Sequence, residues 1–336
     1  MGKITLEQLL ASHCLDDSLE QYANAVLRTR RPTGMVDIVL DTDTYNEIDD
    51  QYALALLLAS QEKFHICGVL AAPFYNHHSE GPCDGMRRSY QEIIKVLKLT
   101  GHLELSDRVF YGSDSFLPDE VTPVESEGAR ELVRLAMTHT PERPLYVACI
   151  AAPTNIAAAL LMEPKIRERL VVVWCGGVGL DWPDALCFNG CQDIAASRVL
   201  LQSGIPLVLI PARGVGYAFS LSGMELEYWL QGRSAFCDYI LKRTKEEARL
   251  VHNRAVWSRQ IVDVLPVMWL LGDDFMLDRI DRRPNIGYDM HYSFDPRRPP
   301  IRYVYSVKRD NIANELLGRL GRIKELLDSN HKTPKI

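Results

Sequence analysis

Between residues 36 and 210 the chain repeats one pattern: a short apolar run, a loop, then a stretch with helical spacing. The runs are Val36–Leu40, Ile66–Ala71, Leu145–Ile150, Val171–Cys175 and Pro206–Ile210. The helical stretches are Ile48–Ser60, Gly85–Leu99, Ser126–His139, Thr154–Leu170 and Asp193–Ser203. Strands apolar on both faces, with helices between them, predict an α/β fold: a mainly parallel central sheet covered by helices on both faces. After Arg213 the rhythm changes. Residues 223–271 read as a mostly helical insertion, 301–307 as a strand and Asn311–Leu327 as a last helix. Residues 1–34 read as an N-terminal helical extension, with helical spacing from Thr5 to Thr29 broken by Arg30-Arg31-Pro32-Thr33-Gly34. Residues 35–336 read as a single α/β domain.

Composition narrows the function class. Lys plus Arg number 38 against 44 Asp plus Glu, a formal charge of -6, so no basic excess points to nucleic acid. No stretch of 18 apolar residues exists to span a membrane. The first residues carry acids where a secretory leader needs an apolar core. The 8 cysteines contain no Cys-x-x-Cys pair and read as buried free thiols. A reducing, cytoplasmic setting and a small-molecule substrate are expected.

Sites in such sheets lie at the carboxyl ends of the strands. The loop after the first strand is Asp41-Thr42-Asp43-Thr44-Tyr45-Asn46-Glu47-Ile48-Asp49-Asp50. Helix capping accounts for Asp49 or Asp50. It does not account for Asp41 and Asp43 directly behind the strand. Converging carboxylates repel unless a cation neutralises them, and an all-oxygen set suits Ca²⁺ or Mg²⁺.

Two families match this segment. Ile38-Val39-Leu40-Asp41-Thr42-Asp43-Thr44 approaches the Asp-x-Asp-x-Thr motif of haloacid-dehalogenase-like phosphatases, one residue off at its end. The whole loop more closely resembles the inosine-uridine nucleoside hydrolase family, in which Asp-x-Asp, a short turn and Asp-Asp open an apolar helix. Here the turn, Thr44 to Ile48, is two residues longer than usual. Three downstream segments add to the resemblance, which covers roughly residues 36–325: Pro153-Thr154-Asn155-Ile156-Ala157, Cys187-Phe188-Asn189 before Asp193, and Val262-Asp263 in an apolar helix.

The resemblance implies a nucleoside-hydrolase-like, Rossmann-like core and a Ca²⁺ ion held by Asp43, Asp50, Asp263 and the main-chain oxygen of Thr154. Asp43 would double as catalytic base. Asp49, Asn76 and Asn189 would bind ribose, with Asp41 supporting the loop from behind. Cys187 stands where the family has a ribose-binding Glu, and Val262 where it has a proton-donating His. The implied activity is cleavage of the N-glycosidic bond of a ribonucleoside to ribose and free base. The alternatives are a ribose- or nucleoside-binding protein with impaired catalysis and the phosphatase. A homo-oligomer, dimer or tetramer, is a further implication. Candidates for the missing acid are His252, His77, His78, His291 and Tyr288, and Trp182, Trp257 and Tyr228 are available to stack on a base. The adjacent His77 and His78, if extended, would point apart and face solvent.

Overall fold

The computed structural model describes residues 17–251 and 256–323. Its strands are β1 (Val36–Thr42), β2 (Phe64–Ala71), β3 (Val109–Tyr111), β4 (Leu145–Cys149), β5 (Leu170–Cys175), β6 (Leu207–Ile210), β7 (Ser220–Ser222), β8 (Ser258–Gln260), β9 (Met276–Asp281), β10 (Pro284–Ile286), β11 (Tyr292–Phe294) and β12 (Ile301–Val307). The main sheet runs β3-β2-β1-β4-β5-β6-β12-β9. All its neighbours are parallel except β12 and β9. All five expected apolar strands are present and paired within it.

Alternation along β1 shows why both faces are covered. Val36, Ile38 and Leu40 join one buried cluster, with residues of helices Asp49–Leu58, Pro82–Thr100, Val264–Leu271 and Arg309–Gly321. Val39 joins the opposite cluster, with residues of Glu127–Met137, Thr154–Met162 and Ile194–Gln202. Helix Asp49–Leu58 is buried along its whole length, which explains its near-continuous apolar sequence. Strand order reverses direction at β1 and β4, so the loops after these two strands diverge and leave a crevice at their carboxyl ends.

The C-terminal half differs from the expectation of mostly helix. Helices Gly223–Leu230, Ala235–Val251 and Val264–Leu271 are present, but β8 interrupts them. Strands β9, β10 and β11 have no counterpart in the sequence reading. Strand β9 is charged and mostly part-exposed, Met276-Leu277-Asp278-Arg279-Ile280-Asp281, and β10 and β11 are only three residues each, so no apolar run marks them. The expected last helix spans Arg309–Gly321, and positions 324–327 lie outside the described residues. Of the N-terminal extension, Asp17–Arg28 is helical and lies against β9 and β12. Arg302 donates to the carbonyl of Thr29 at 2.6 Å, and Arg31 pairs with Asp278 at 2.6 Å. The expected helix start, Thr5 to Asp16, lies outside the described residues. Cys149, Cys175, Cys187 and Cys237 are buried free thiols as expected, whereas Cys191 is exposed. Among the described residues no helix is long and apolar enough to cross a membrane.

Helix Gly223–Leu230 begins with a capping box: Ser222 and Glu225 satisfy each other's main-chain N–H groups. Glu225 also pairs with Arg309 at the start of the last helix. Burial opposes its ionisation, but the Arg309 guanidinium and the Ser222 donors outweigh burial and hold its carboxyl at about 2, below the ordinary 4.5. A depressed carboxyl contributes stability above its unfolded value, and that stability is lost as pH falls through its folded value. Glu225→Gln is therefore expected to lower the Tm at pH 7, with the gap to wild type closing between pH 4.5 and 2. A constant gap across a thermal-melting series in that window would count against the pairing.

Candidate active site

The loop after β1 folds its acids inward. Asp43, Asp49 and Asp50 are 1%, 3% and 0% exposed. Asp263, from the far end of the chain, is 6% exposed beside them. It is the N-cap of helix Val264–Leu271, not a residue within a helix as the apolar sequence suggests. One carboxylate oxygen each from Asp49, Asp50 and Asp263 lies within 4.8 Å of the others. Two helix N-termini thus converge on the same point. Their dipoles favour negative charge, at about 0.3–1 kcal/mol each. That is small against the cost of several buried carboxylates.

Hydrogen bonding leaves the site short of donors. Asp49 Oδ2 accepts the main-chain N–H of Val262 at 3.0 Å and of Asp263 at 3.4 Å. Asp50 Oδ1 accepts the Thr42 hydroxyl at 2.5 Å. Both oxygens of Asp43, Oδ1 of Asp49, Oδ2 of Asp50 and Oδ1 of Asp263 are buried with no partner. Burial, and then the neighbouring carboxylates, push Asp43, Asp50 and Asp263 well above the usual carboxylate range. Among the described residues the nearby cationic side chain is Arg259 on β8, which pairs with Glu47 at 2.5 Å and is held charged by Asp49 and Glu47 against the opposing effect of burial. One guanidinium, already shared with Glu47, does not offset the cluster. The bare oxygens fit a hard divalent cation, which would restore the ionised forms.

The sequence-derived candidates divide. Asp50 and Asp263 stand together, and Asp49, to which the resemblance gives a ribose-binding role, joins them. Asp43 lies outside that closest trio, but the charges of Asp50 and Asp49 act on it directly. Asp41 is set apart behind the loop. It accepts from Asn155 Nδ2 at 2.8 Å and from the Cys149 thiol at 3.5 Å, and burial raises it to about 7. Asn155 in turn packs on Gly112, where a Cβ would fall 2.0 Å from the Ala71 carbonyl and 2.6 Å from the Asn155 amide. Only glycine permits that approach.

Thr154 opens helix Thr154–Met162, and its hydroxyl donates to Asp193 at 2.8 Å, which leaves its main-chain oxygen as the candidate ligand. Asn189 spends its amide protons on the carbonyls of Ile150 and Cys175, at 3.1 and 2.9 Å, tying together the ends of β4 and β5. Cys187 is 4% exposed and accepts the Gly177 N–H at 3.0 Å, and burial raises its thiol to about 11. Asn76 donates to Asn46 of the lengthened turn at 2.6 Å and accepts from the main chain of His78 at 2.8 Å.

The histidines differ from expectation. Residues 76–79 form a turn, and the rings of His77 and His78 pack against each other tilted by 42°, 3.9 Å between centroids. His78 points to Glu247 at 3.6 Å and is only partly exposed. Tyr288 and His291 have their partners in Arg198, Glu120 and Asp289, away from the acidic cluster. His252 lies outside the described residues. Trp257 packs on the core beside Gly223, Tyr228 is exposed against Trp229, and Trp182 lies under Arg213. The sequence reading missed Glu47, Arg259 and Tyr217. Tyr217 follows the carboxyl end of β6 and is half-exposed; burial raises its hydroxyl, and after burial the charges of Cys187, Glu47 and Asp49 act in the same direction. The strand-end rule that picked out the other loops applies equally to Arg213-Gly214-Val215-Gly216-Tyr217.

The sequence model of the family described as inosine-uridine preferring nucleoside hydrolase matches residues 38–314. The chain belongs to that family. Its membership decides between the two patterns that Asp41–Thr44 approaches, in favour of the nucleoside hydrolases over the phosphatases. A pyrimidine-specific ribonucleoside hydrolase, RihA, of Salmonella schwarzengrund is 26% identical over 192 residues, covering 51% of this chain and 58% of that protein. The chain thus aligns with just over half the length of this relative. Among solved structures, a purine-preferring ribonucleoside hydrolase from Gardnerella vaginalis superposes with a TM-score of 0.69 at 18% identity, over 86% of this chain and 99% of that one. The type III effector protein XopQ, solved with adenosine diphosphate ribose, superposes at 0.65 and 17% identity over 92% of this chain and 99% of that one. These likenesses establish the nucleoside-hydrolase fold.

Proposed function

We propose that this nucleoside hydrolase family member cleaves the N-glycosidic bond of a ribonucleoside to ribose and free base, and that Ca²⁺ is its ion. The observation that carries the reading is the set of buried carboxylate oxygens without donors on Asp43, Asp49, Asp50 and Asp263. An oxygen-only set of this kind suits Ca²⁺. Asp43, Asp50, Asp263 and the Thr154 main-chain oxygen would hold it, and Asp49 is close enough to share in the site or to take a ribose hydroxyl. When bound, the ion supplies Lewis acidity toward water and a hold on the sugar diol.

The chain's own residues do the rest. Asp43, with both oxygens free of donors, is the general base that takes the proton of the attacking water. Asp49 is positioned by two main-chain N–H groups and presents its free Oδ1. Asn76 and the Asn189 carbonyl oxygen remain for sugar hydroxyls. Asp41 keeps the loop in register through Asn155 and Cys149. Tyr217, at the rim, is the aromatic surface best placed for the base.

A second reading, a nucleoside- or ribose-binding protein with impaired turnover, is favoured by one observation. Val262, at the position of the family's proton donor, is an apolar side chain only 9% exposed. A panel of nucleosides assayed for free ribose with added calcium separates the two, and metal analysis accompanies it. About one tightly held calcium per chain is expected. Full activity after complete removal of divalent ions would sink the calcium reading.

A further inference from the structure

At the opposite rim of the sheet, where β1 and β2 begin, Asp37, His65 and Cys67 bring one potential ligand atom each within 4.8 Å of one another, and His139 lies against Asp37. Asp37 and His65 are register partners on the parallel strands β1 and β2, so they share a face. The register then slips: Ile38 pairs with Ile66 but Val39 with Gly68, leaving Cys67 as an extra residue. Bulges are rare between parallel strands and re-aim side chains. This one places the Cys67 sulfur 3.9 Å from Asp37 Oδ1 and 3.7 Å from His65 Nδ1. His65 Nδ1 lies 2.7 Å from the same Asp37 oxygen. His139, just past helix Glu127–Met137 on the same face, brings Nε2 to 3.4 Å from the other Asp37 oxygen.

The geometry points to a second metal site, for an ion of the zinc class, built from Asp37, His65, Cys67 and His139. A tetrahedral zinc with bonds of about 2.0–2.3 Å sets its ligand atoms roughly 3.3–3.8 Å apart. The His139–Asp37 and Cys67–His65 spacings of 3.4 and 3.7 Å fall in that range, Cys67–Asp37 at 3.9 Å lies just beyond it, and the 2.7 Å His65–Asp37 contact opens on binding. One thiol, two imidazoles and one carboxylate are the donors zinc prefers, and they differ from the oxygen-only cluster at the other rim. The orientation of His139 supports this. Its Nδ1 lies 2.8 Å from the Leu135 carbonyl, so Nδ1 carries the proton and Nε2 is directed at Asp37. A ring that donates its far N–H to a main-chain carbonyl is the usual arrangement of a metal-bound histidine. Without a proton or a cation on Nε2, its lone pair would face a carboxylate. On binding, Cys67 gives its thiol proton to solvent, and His65 shifts its own proton to Nε2, facing away from the metal. Arg108, 3.3 Å from that nitrogen, then turns to its other acceptor, the Ile66 carbonyl. Asp37, His65 and Cys67 supply three ligands in place, and His139 closes the site as the fourth by moving in from its contact with Asp37. It pins the starts of β1 and β2 to the turn after helix Glu127–Met137, far from the proposed catalytic face.

Cobalt(II) reports on this site selectively. The full chain, first saturated with calcium to fill the carboxylate cluster, is titrated with Co²⁺. A thiolate-to-cobalt charge-transfer band with the visible bands of tetrahedral cobalt is expected, saturating near one equivalent and displaced by Zn²⁺. The oxygen-only cluster cannot produce that band. Cys67→Ser should abolish it, and His139→Gln should weaken cobalt affinity by at least about 10-fold. Zn²⁺ should raise the Tm of wild type and leave that of Cys67→Ser unchanged. No band in the wild-type protein, or a band of undiminished intensity in Cys67→Ser, overturns the proposal. The wild-type measurement stands even if a variant fails to fold.

Discussion

Asp43→Ala is expected to lower ribose release by at least about 10²-fold, whereas Asp41→Asn lowers it far less. The difference rests on what surrounds each carboxyl. Asp43 has two buried oxygens without donors beside the cluster, so it can serve as base and ligand at once. Asp41 has its oxygens taken by Asn155 and Cys149, behind the loop. The same substitution carries a stability signature. With no ion bound, Asp43 is a buried carboxyl repelled by Asp50 and Asp49. Asp43→Ala should therefore leave the Tm of metal-free protein unchanged or raised, while removing most of the gain that calcium gives to wild type. Turnover at saturating calcium and melting curves with and without the ion check both halves. If Asp41→Asn were the more damaging change, Asp41 would be the reacting group and the assignment of Asp43 as base would fail.

The parts of the molecule legible in its sequence are those governed by local pattern. Five parallel strands announce themselves as apolar runs because both of their faces are buried. The acids after β1 stand out because nothing in helix capping calls for so many. What could not be read depends on tertiary placement. Arg259 and Glu47 are 212 positions apart, and neither carries a motif. Asp263 looks like an acid inside an apolar helix, but its place at the helix start follows from β8, whose three residues show no strand pattern. Strand β9 is charged and mostly part-exposed, and β10 and β11 are too short to show a pattern. The two histidines after Asn76 read as exposed loop residues, and what the sequence does not show is that Asn76 accepts the N–H of His78 in a turn, which brings the rings together. The bulge at Cys67 is likewise invisible until β1 and β2 are paired.

The position of Val262 leads to the strongest prediction about substrates. Its N–H is given to Asp49 and its side chain is buried, so it offers the departing base no proton. The titratable groups at the rim do not replace it well. Burial pushes the Tyr217 hydroxyl up, which makes it a weaker acid. Burial pushes His78 down, its Glu247 neighbour notwithstanding, which disfavours the protonated ring. A leaving group that needs no proton is then favoured. We expect p-nitrophenyl riboside, or a nucleoside with a cationic base, to be hydrolysed faster than inosine or uridine. The gap should approach the ~10²–10⁴-fold usually supplied by a general acid. Tyr217→Phe should change the rate on inosine little if the tyrosine only stacks, and should depress it selectively, sparing the activated riboside, if its hydroxyl donates. Inosine and uridine turning over as fast as the activated substrates would mean that another side chain supplies the proton. No turnover of any substrate, with calcium bound, would favour the binding-protein reading, because the ion site would then be intact and only the chemistry lost.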